Sequence, residues 1–186
     1  MKDTIPTDRL PIVTLLLIAA DVVVHPFVPH DGILVLLATV LFLWIFGTNV
    51  EDAMSRPRFA VLCTLGGGAA TGTLLLTDPH AAVEPVAAAG VTAAAMGAYI
   101  RHYPRARIVS ATVVPFAFTL VEVPAWAWVA TWFVLQAIFA ATGLTDGAEA
   151  FLAQAVAFAF GLLAIRAFAQ RRKLQVPPPP AIAVLS

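Results

Sequence analysis

Asp21 and His25 stand four residues apart inside an apolar run, a spacing that places both on one face of a helix. A carboxylate and an imidazole so arranged can share a proton or a hydrogen bond, as in a proton relay or a polar pocket wall. An acid at mid-membrane depth is disfavoured by about 2.5–3.5 kcal/mol on insertion scales, so Asp21 is expected to face protein or water. The plainer expectation for the pair is a polar contact that locks its helix to its neighbours. A second group, His25, His30, Asp78 and His80, falls on the expected outer side. Its spacing matches no ligand pattern such as two His at i, i+4 with a Glu between them, so neither a metal nor any other cofactor is expected.

Acyl-transfer chemistry needs a hydroxyl or thiol beside a base, with donors for an oxyanion. The three serines, Ser55, Ser110 and Ser186, all fall outside the expected spans, and only His102 is expected on the same side as Ser110. Thr39, Thr64, Thr71, Thr73, Thr92 and Thr131 lie in apolar segments, where threonine commonly bonds its own helix backbone. Cys63 is the only cysteine, so no intrachain disulfide can form, and in an apolar segment it reads as an inert filler. No nucleophile–base pair is legible. A protease built on this chain would have to use an arrangement such as Thr92 with Asp21 or an outer histidine.

The elements that carry these residues are membrane spans. Of the 186 residues 60% are hydrophobic and 12% charged, and the mean hydropathy is +0.88. Soluble domains carry roughly 25% charged residues, so lipid is the expected solvent. The net charge of zero gives no reason to expect a nucleic acid partner. A span needs about 20 mainly apolar residues. Six segments qualify: Leu10–Val28, Gly32–Gly47, Phe59–Leu76, Val83–Ile100, Pro124–Ala141 and Ala148–Phe168. Ile108–Val121 is apolar too, but Pro115 interrupts it, and a buried or interfacial connection is expected there. The first apolar run lacks a good cleavage site, because Ile18 precedes Ala19-Ala20 where a small residue belongs, so an uncleaved span is expected.

Charge placement supports that count. With both termini cytoplasmic, the inner segments hold Lys2, Arg9, Arg56, Arg58, Arg101, Arg105, Arg107, Arg166, Arg171, Arg172 and Lys173, which are all the basic residues of the chain. The outer loops then hold His25, His30, Asp31, Asp78, His80, Glu84, Asp146 and Glu149, and a seventh span would break the separation. The expected organisation is a cytoplasmic segment 1–9, a membrane domain 10–170 and a proline-rich cytoplasmic tail 171–186, in an all-α integral membrane protein of a bacterial plasma membrane. Between Ala81 and Ala98 nearly every side chain is Ala, Gly, Val or Thr. A helix that thin lets neighbouring backbones approach closely, so this span is expected at the centre of the bundle. Trp44, Trp126, Trp128 and Trp132 read as interfacial anchors or packing residues.

Several stretches resemble the rhomboid family of intramembrane serine proteases. Leu41 to Asp52 (LFLWIFGTNVED) is similar to the end of that family's second span and its inner turn. Gly97-Ala98-Tyr99 followed by Tyr103-Pro104-Arg105-Ala106-Arg107 is similar to the end of its fourth span. Pro124-Ala125-Trp126 leading to Trp132–Gln136 is similar to its fifth, and Pro11–Ala19 to its first, where the family often has Asn in place of Asp21. The resemblance runs from about residue 10 to residue 170 and implies a six-helix rhomboid-like bundle.

The resemblance also locates the family's catalytic positions. Its Gly-Ala-Ser-Gly motif aligns with Ala87-Ala88-Ala89-Gly90, which puts Ala89 where the nucleophile belongs. Its span-six histidine, followed by glycines three and seven residues later, aligns with Gln154, Ala157 and Gly161. The His and Asn that support the oxyanion align with Val35 and Thr39, and the long loop after the first span shrinks to Val28–Asp31. A methyl group cannot attack a carbonyl, and a Gln amide is no base at neutral pH. What the resemblance then implies is a pseudoprotease, a bundle that holds transmembrane helices of client proteins and leaves them uncut. Membrane lipids would be its other partners. Gly90, Ala94 and Gly97 are expected to pack against Ala157 and Gly161. The alternatives are an endopeptidase with non-standard residues and a small transporter or proton relay using Asp21 and His25.

Overall fold

The computed structural model describes residues 2–3, 10–27, 33–80, 83–114, 117–142 and 147–168, and the fold they build is mostly helical. In chain order it comprises β1 (Lys2–Asp3), α1 (Ile12–Val24), a 3-10 turn (His25–Phe27), α2 (Ile33–Phe42), a π-helical turn (Leu43–Gly47) and α3 (Thr48–Ala53). There follow α4 (Arg56–Thr77), α5 (Glu84–His102), β2 (Arg107–Val114), β3 (Ala117–Pro124), α6 (Ala125–Thr142) and α7 (Gly147–Phe168). Leu36–Ala53, Arg56–Thr77 and Ala148–Phe168 are long and apolar enough to cross a membrane, while Ile12–Val24 and Ala125–Ile138 are shorter apolar helices.

The thin segment occupies the centre. α5 starts with Pro85 in its first turn, stops before Pro104, and packs against α4, α7, the π turn, α2, α3 and α6. Every residue from Thr92 to Tyr99 is buried. Its two neighbours approach it through glycines. A Cβ on Gly66 would collide with Ala94, and one on Gly90 with Ala70, so α4 and α5 cross antiparallel with almost nothing between them. A Cβ on Gly161 would run into the Ala94 backbone, and one on Gly97 into the backbone of Phe158 and Leu162. Bulk collects toward the other end, where Phe46 and Tyr99 meet edge to face at 5.0 Å and Phe42 ties α2 to Trp132 of α6 at 4.8 Å.

The second helix was expected to end at Gly47, but it continues through a widened turn to Ala53. Thr48 Oγ1 and Asn49 Nδ2 donate to the Trp44 and Ile45 carbonyls, 2.7 and 2.9 Å away, which supplies the carbonyls of that turn with side-chain donors. Glu51 and Asp52 read as loop residues, yet both are buried. The Glu51 carboxylate accepts from the Val13 and Thr14 amides at 3.0 and 2.8 Å and from Thr14 Oγ1 at 2.8 Å. Those amides belong to the first turn of α1, whose donors have no partners within their own helix.

Arg56 reaches the Leu10 carbonyl at 3.3 Å, and Arg58 reaches the Phe168 carbonyl, also at 3.3 Å. One end of the bundle therefore gathers the start of α1, the start of α4 and the end of α7. Asp78 and His80, beyond the end of α4, lie at the other.

The all-α expectation needs correction. Ile108–Val121, read as a connection, lies within an antiparallel hairpin in which Arg107 pairs with Pro124 and Val114 with Ala117, and β1 joins it through Lys2–Val109 and Asp3–Ile108. The run is too short for a lipid span of about 20 residues, and its Val109, Thr112, Val113, Thr119 and Val121 are β-branched, which suits a strand. Apart from β1, the expected terminal segments 1–9 and 171–186 lie outside the described residues.

Candidate functional site

A cavity of about 710 Å³ opens between α1, α2, α4 and α5, in the half of the bundle away from Arg56 and Arg58. From α1 come Leu17, Ala20, Asp21 and Val24, with His25 from the turn that follows. α4 contributes Cys63, Thr64, Gly67, Gly68, Thr71, Gly72 and Leu75, while Thr39 and the π turn's Leu43 line one wall and Ala87, Ala88 and Val91 of α5 the floor. Asp21 and His25 share one helix face, as their spacing requires, and that face points at the threonines.

The threonines divide into two sets. Thr48, Thr73, Thr77 and Thr92 donate to carbonyls three or four residues back in their own helices, and Thr14 donates to Glu51. Among the described residues, the hydroxyls of Thr39, Thr64 and Thr71 make no hydrogen bond, and all three face the cavity. Thr92, the nucleophile an alternative protease would use, is buried, bonds Ala88 O at 3.3 Å and lies outside the cavity that holds Asp21 and His25.

The glycines of α4 also divide. Gly66 and Gly67 are filled in by α5, whereas among the described residues a Cβ on Gly68 or Gly72 would meet no other element within 4 Å. These two open glycines lie one turn apart and face the cavity with Thr64, Thr71 and Leu75. That stripe, at i, i+4, i+7, i+8 and i+11, was legible at helical period in the sequence and was missed.

The α5–α7 seam holds the other expected residues. Ala94 and Gly161 meet backbone to backbone, Gly97 meets Phe158 and Leu162, and Ala157 joins a small buried cluster with Ala70, Leu74, Val86, Ala93 and Ala153. Gly90 faces α4 instead of α7. Ala89 and Gln154 are both half-buried on these two helices. Val35 lies on α2 with its side chain outside the described residues, as are the side chain of Ser110 and all of His30, Asp31, Asp146 and Ser186. No group of three or more His, Cys, Asp or Glu suited to a metal occurs among the described residues.

The model of the rhomboid domain matches residues 19–171. This chain belongs to the rhomboid family. No curated protein and no solved structure matches it. The rhomboid match covers the cavity walls contributed by Ala20 to Val91 and the whole α5–α7 seam, so both regions are parts of the family's domain.

Proposed function

We propose that this rhomboid-family membrane protein is a pseudoprotease, which binds transmembrane helices of client proteins without cleaving them. Its six spans are α1, α2 continued into α3, α4, α5, α6 and α7, with both termini cytoplasmic. The gathering of Arg56 and Arg58 at the end that also holds Leu10 and Phe168 supports that orientation. The observation that carries the reading is the pair of residues in the family's nucleophile and base positions, Ala89 and Gln154. The contacts of Ala94 with Gly161 and of Gly97 with Phe158 support that alignment, because the same register carried two turns back brings Ala89 to the level of Gln154. An amide opposite a methyl group can hydrogen-bond a guest helix, for about 0.6–2 kcal/mol, but cannot move a proton from a nucleophile.

The reading is tested on purified protein with a fluorophosphonate probe and a model transmembrane substrate. Neither labelling nor cleavage is expected, and photo-crosslinking in native membranes is expected to recover membrane-spanning clients. Labelling or cleavage, or crosslinking that recovers no such client, would overturn it. Ala89→Ser with Gln154→His, Val35→His and Thr39→Asn is expected to stay within a few-fold of background. Residue types alone do not rebuild the supporting contacts that hold a nucleophile and base in line. The cavity supports a second reading, a proton relay through Asp21 and His25. It requires that Asp21→Asn abolish a proton flux measured in proteoliposomes.

A further inference from the structure

We infer that the arginine-bearing end of the bundle binds an anionic phospholipid, its phosphate held by Arg101 and Arg105 and its chains lying along the exposed side of α6. The inference rests on the membrane placement of the helices, and not on their orientation or on whether the chain cleaves or holds clients. Three observations lead to it. The first is which arginines of this end already have partners. Arg56 donates to the Leu10 carbonyl and lies 4.0 Å from Glu51, Arg58 donates to the Phe168 carbonyl, and Arg107 lies 3.6 Å from Glu122. Arg101, in the last turn of α5, and Arg105, just beyond it, are exposed and make no hydrogen bond or ion pair among the described residues.

The second is where the acids of this end go. Glu51 and Asp52 are buried, and Glu51 is taken up by the first amides of α1. Glu122 pairs with Arg107, and Asp3 enters the sheet next to Lys2, so those charges offset one another. Uncompensated positive charge is left on Arg101 and Arg105, which stand close together in the chain. A guanidinium presents parallel donors that match two oxygens of a phosphate, so an anionic phosphodiester complements the pair. A choline lipid brings its own cation and gains less.

The third is what lies at the same level. The Ala125 amide donates to the Ala106 carbonyl at 2.9 Å, which ties the start of α6 to the residue between Arg105 and Arg107. The next residue, Trp126, is 58% exposed, and an exposed tryptophan at the end of an apolar helix marks the headgroup level. Val134 and Ile138 carry the exposed apolar surface of α6 onward from there. The two arginines therefore stand at phosphate depth with hydrocarbon-compatible surface leading away from them. A lipid uses both features, whereas an acidic protein would use only the charge.

The test uses the full chain in a nonionic maltoside detergent, loaded with an equimolar mixture of phosphatidylglycerol and phosphatidylcholine. After gel filtration the retained lipids are extracted and quantified by mass spectrometry. Phosphatidylglycerol should be retained at least about tenfold over phosphatidylcholine, since each basic residue near an anionic headgroup contributes about fivefold. The preference should shrink when the salt is raised from about 0.1 M to about 0.5 M. Arg101→Gln with Arg105→Gln should bring it to within about twofold of none and leave the Tm in phosphatidylcholine unchanged, while Arg101→Lys with Arg105→Lys should keep most of it. Glu122→Gln frees Arg107 and should raise the preference, and removing that pair together, Arg107→Gln with Glu122→Gln, should change it less than about twofold. Equal retention of the two lipids, a preference that survives loss of both arginines, or one indifferent to Glu122→Gln would each overturn the inference. An acidic protein that copurifies through Arg101 and Arg105 without any lipid preference would overturn it too, and would give the face to a protein partner.

Discussion

Gly161→Ala is expected to lower stability by about 3 kcal/mol, at the upper end of the range for adding bulk to a well-packed core. The added methyl would occupy the place of the Ala94 carbonyl group, so the group that must yield is backbone and not the end of a flexible side chain. α7 can accommodate it only by moving away from α5, and that motion opens the neighbouring contact at Gly97 with Phe158 and Leu162. In lipid the loss is direct, since close backbone approach is a main source of attraction between spans. Gly97→Ala should therefore be nearly as harmful. The double variant should fall well short of the sum, because one displacement of α7 relieves both clashes. Gly68→Ala supplies the control: its methyl enters open space and adds helix propensity, so stability should hold or rise by up to about 1 kcal/mol. Denaturation in mixed micelles, followed by a label on α7, measures all four. Equal effects at Gly161 and Gly68 would show that small size in the seam is not what holds the bundle.

The contrast between those glycines marks how far the sequence could be read. Composition and period were enough to place the thin helix at the centre, because a run of Ala and Gly has few other uses in lipid. Composition, period and the rhomboid resemblance together led to the expectation that Gly90, Ala94 and Gly97 pack against Ala157 and Gly161. They could not tell which neighbour each glycine serves: Gly90 faces α4, and a Cβ on Gly68 or Gly72 meets no other element within 4 Å among the described residues. That distinction depends on how helices are rotated about their axes, which a short apolar segment scarcely encodes. Asp21 and His25 were visible as a pair from their spacing, whereas Thr39, Thr64 and Thr71 meet them only through contacts between elements far apart in the chain. The hairpin was hidden for another reason. Its residues are as apolar as a span, and pairing across the 107–124 register is a property of two segments read together. Glu51 and Asp52 misled because charge normally marks a loop; here one of the acids has a buried task.

That task predicts the second large effect. Glu51→Ala should destabilise the protein by about 3 kcal/mol, since hydrogen bonds to a charged group contribute about 1.5–3 kcal/mol each and three that share one acceptor do not add fully. The Val13 and Thr14 amides would lose their acceptor at the start of α1, where no residue of the same helix can replace it. Arg56, whose Nε lies 4.0 Å from Glu51 Oε1 and whose head is half exposed, would contribute little to the change. The rest should come from the cap. Two further variants separate its parts. Thr14→Val keeps the shape but removes the Oγ1–Oε2 bond, at about 1 kcal/mol. Glu51→Gln keeps one acceptor oxygen and should fall between the two. The order Glu51→Ala, then Glu51→Gln, then Thr14→Val, read from unfolding in detergent, checks the assignment. Local loosening of α1 should also reach the cavity, because Leu17 and Asp21 lie one and two turns beyond the capped amides. Hydrogen exchange along residues 12–24 should therefore rise in Glu51→Ala under conditions where α4 and α5 stay protected. Uniform exchange across all three helices would show that α1 has no separate hold on the bundle, and that the contacts of Glu51 matter only through the fold as a whole.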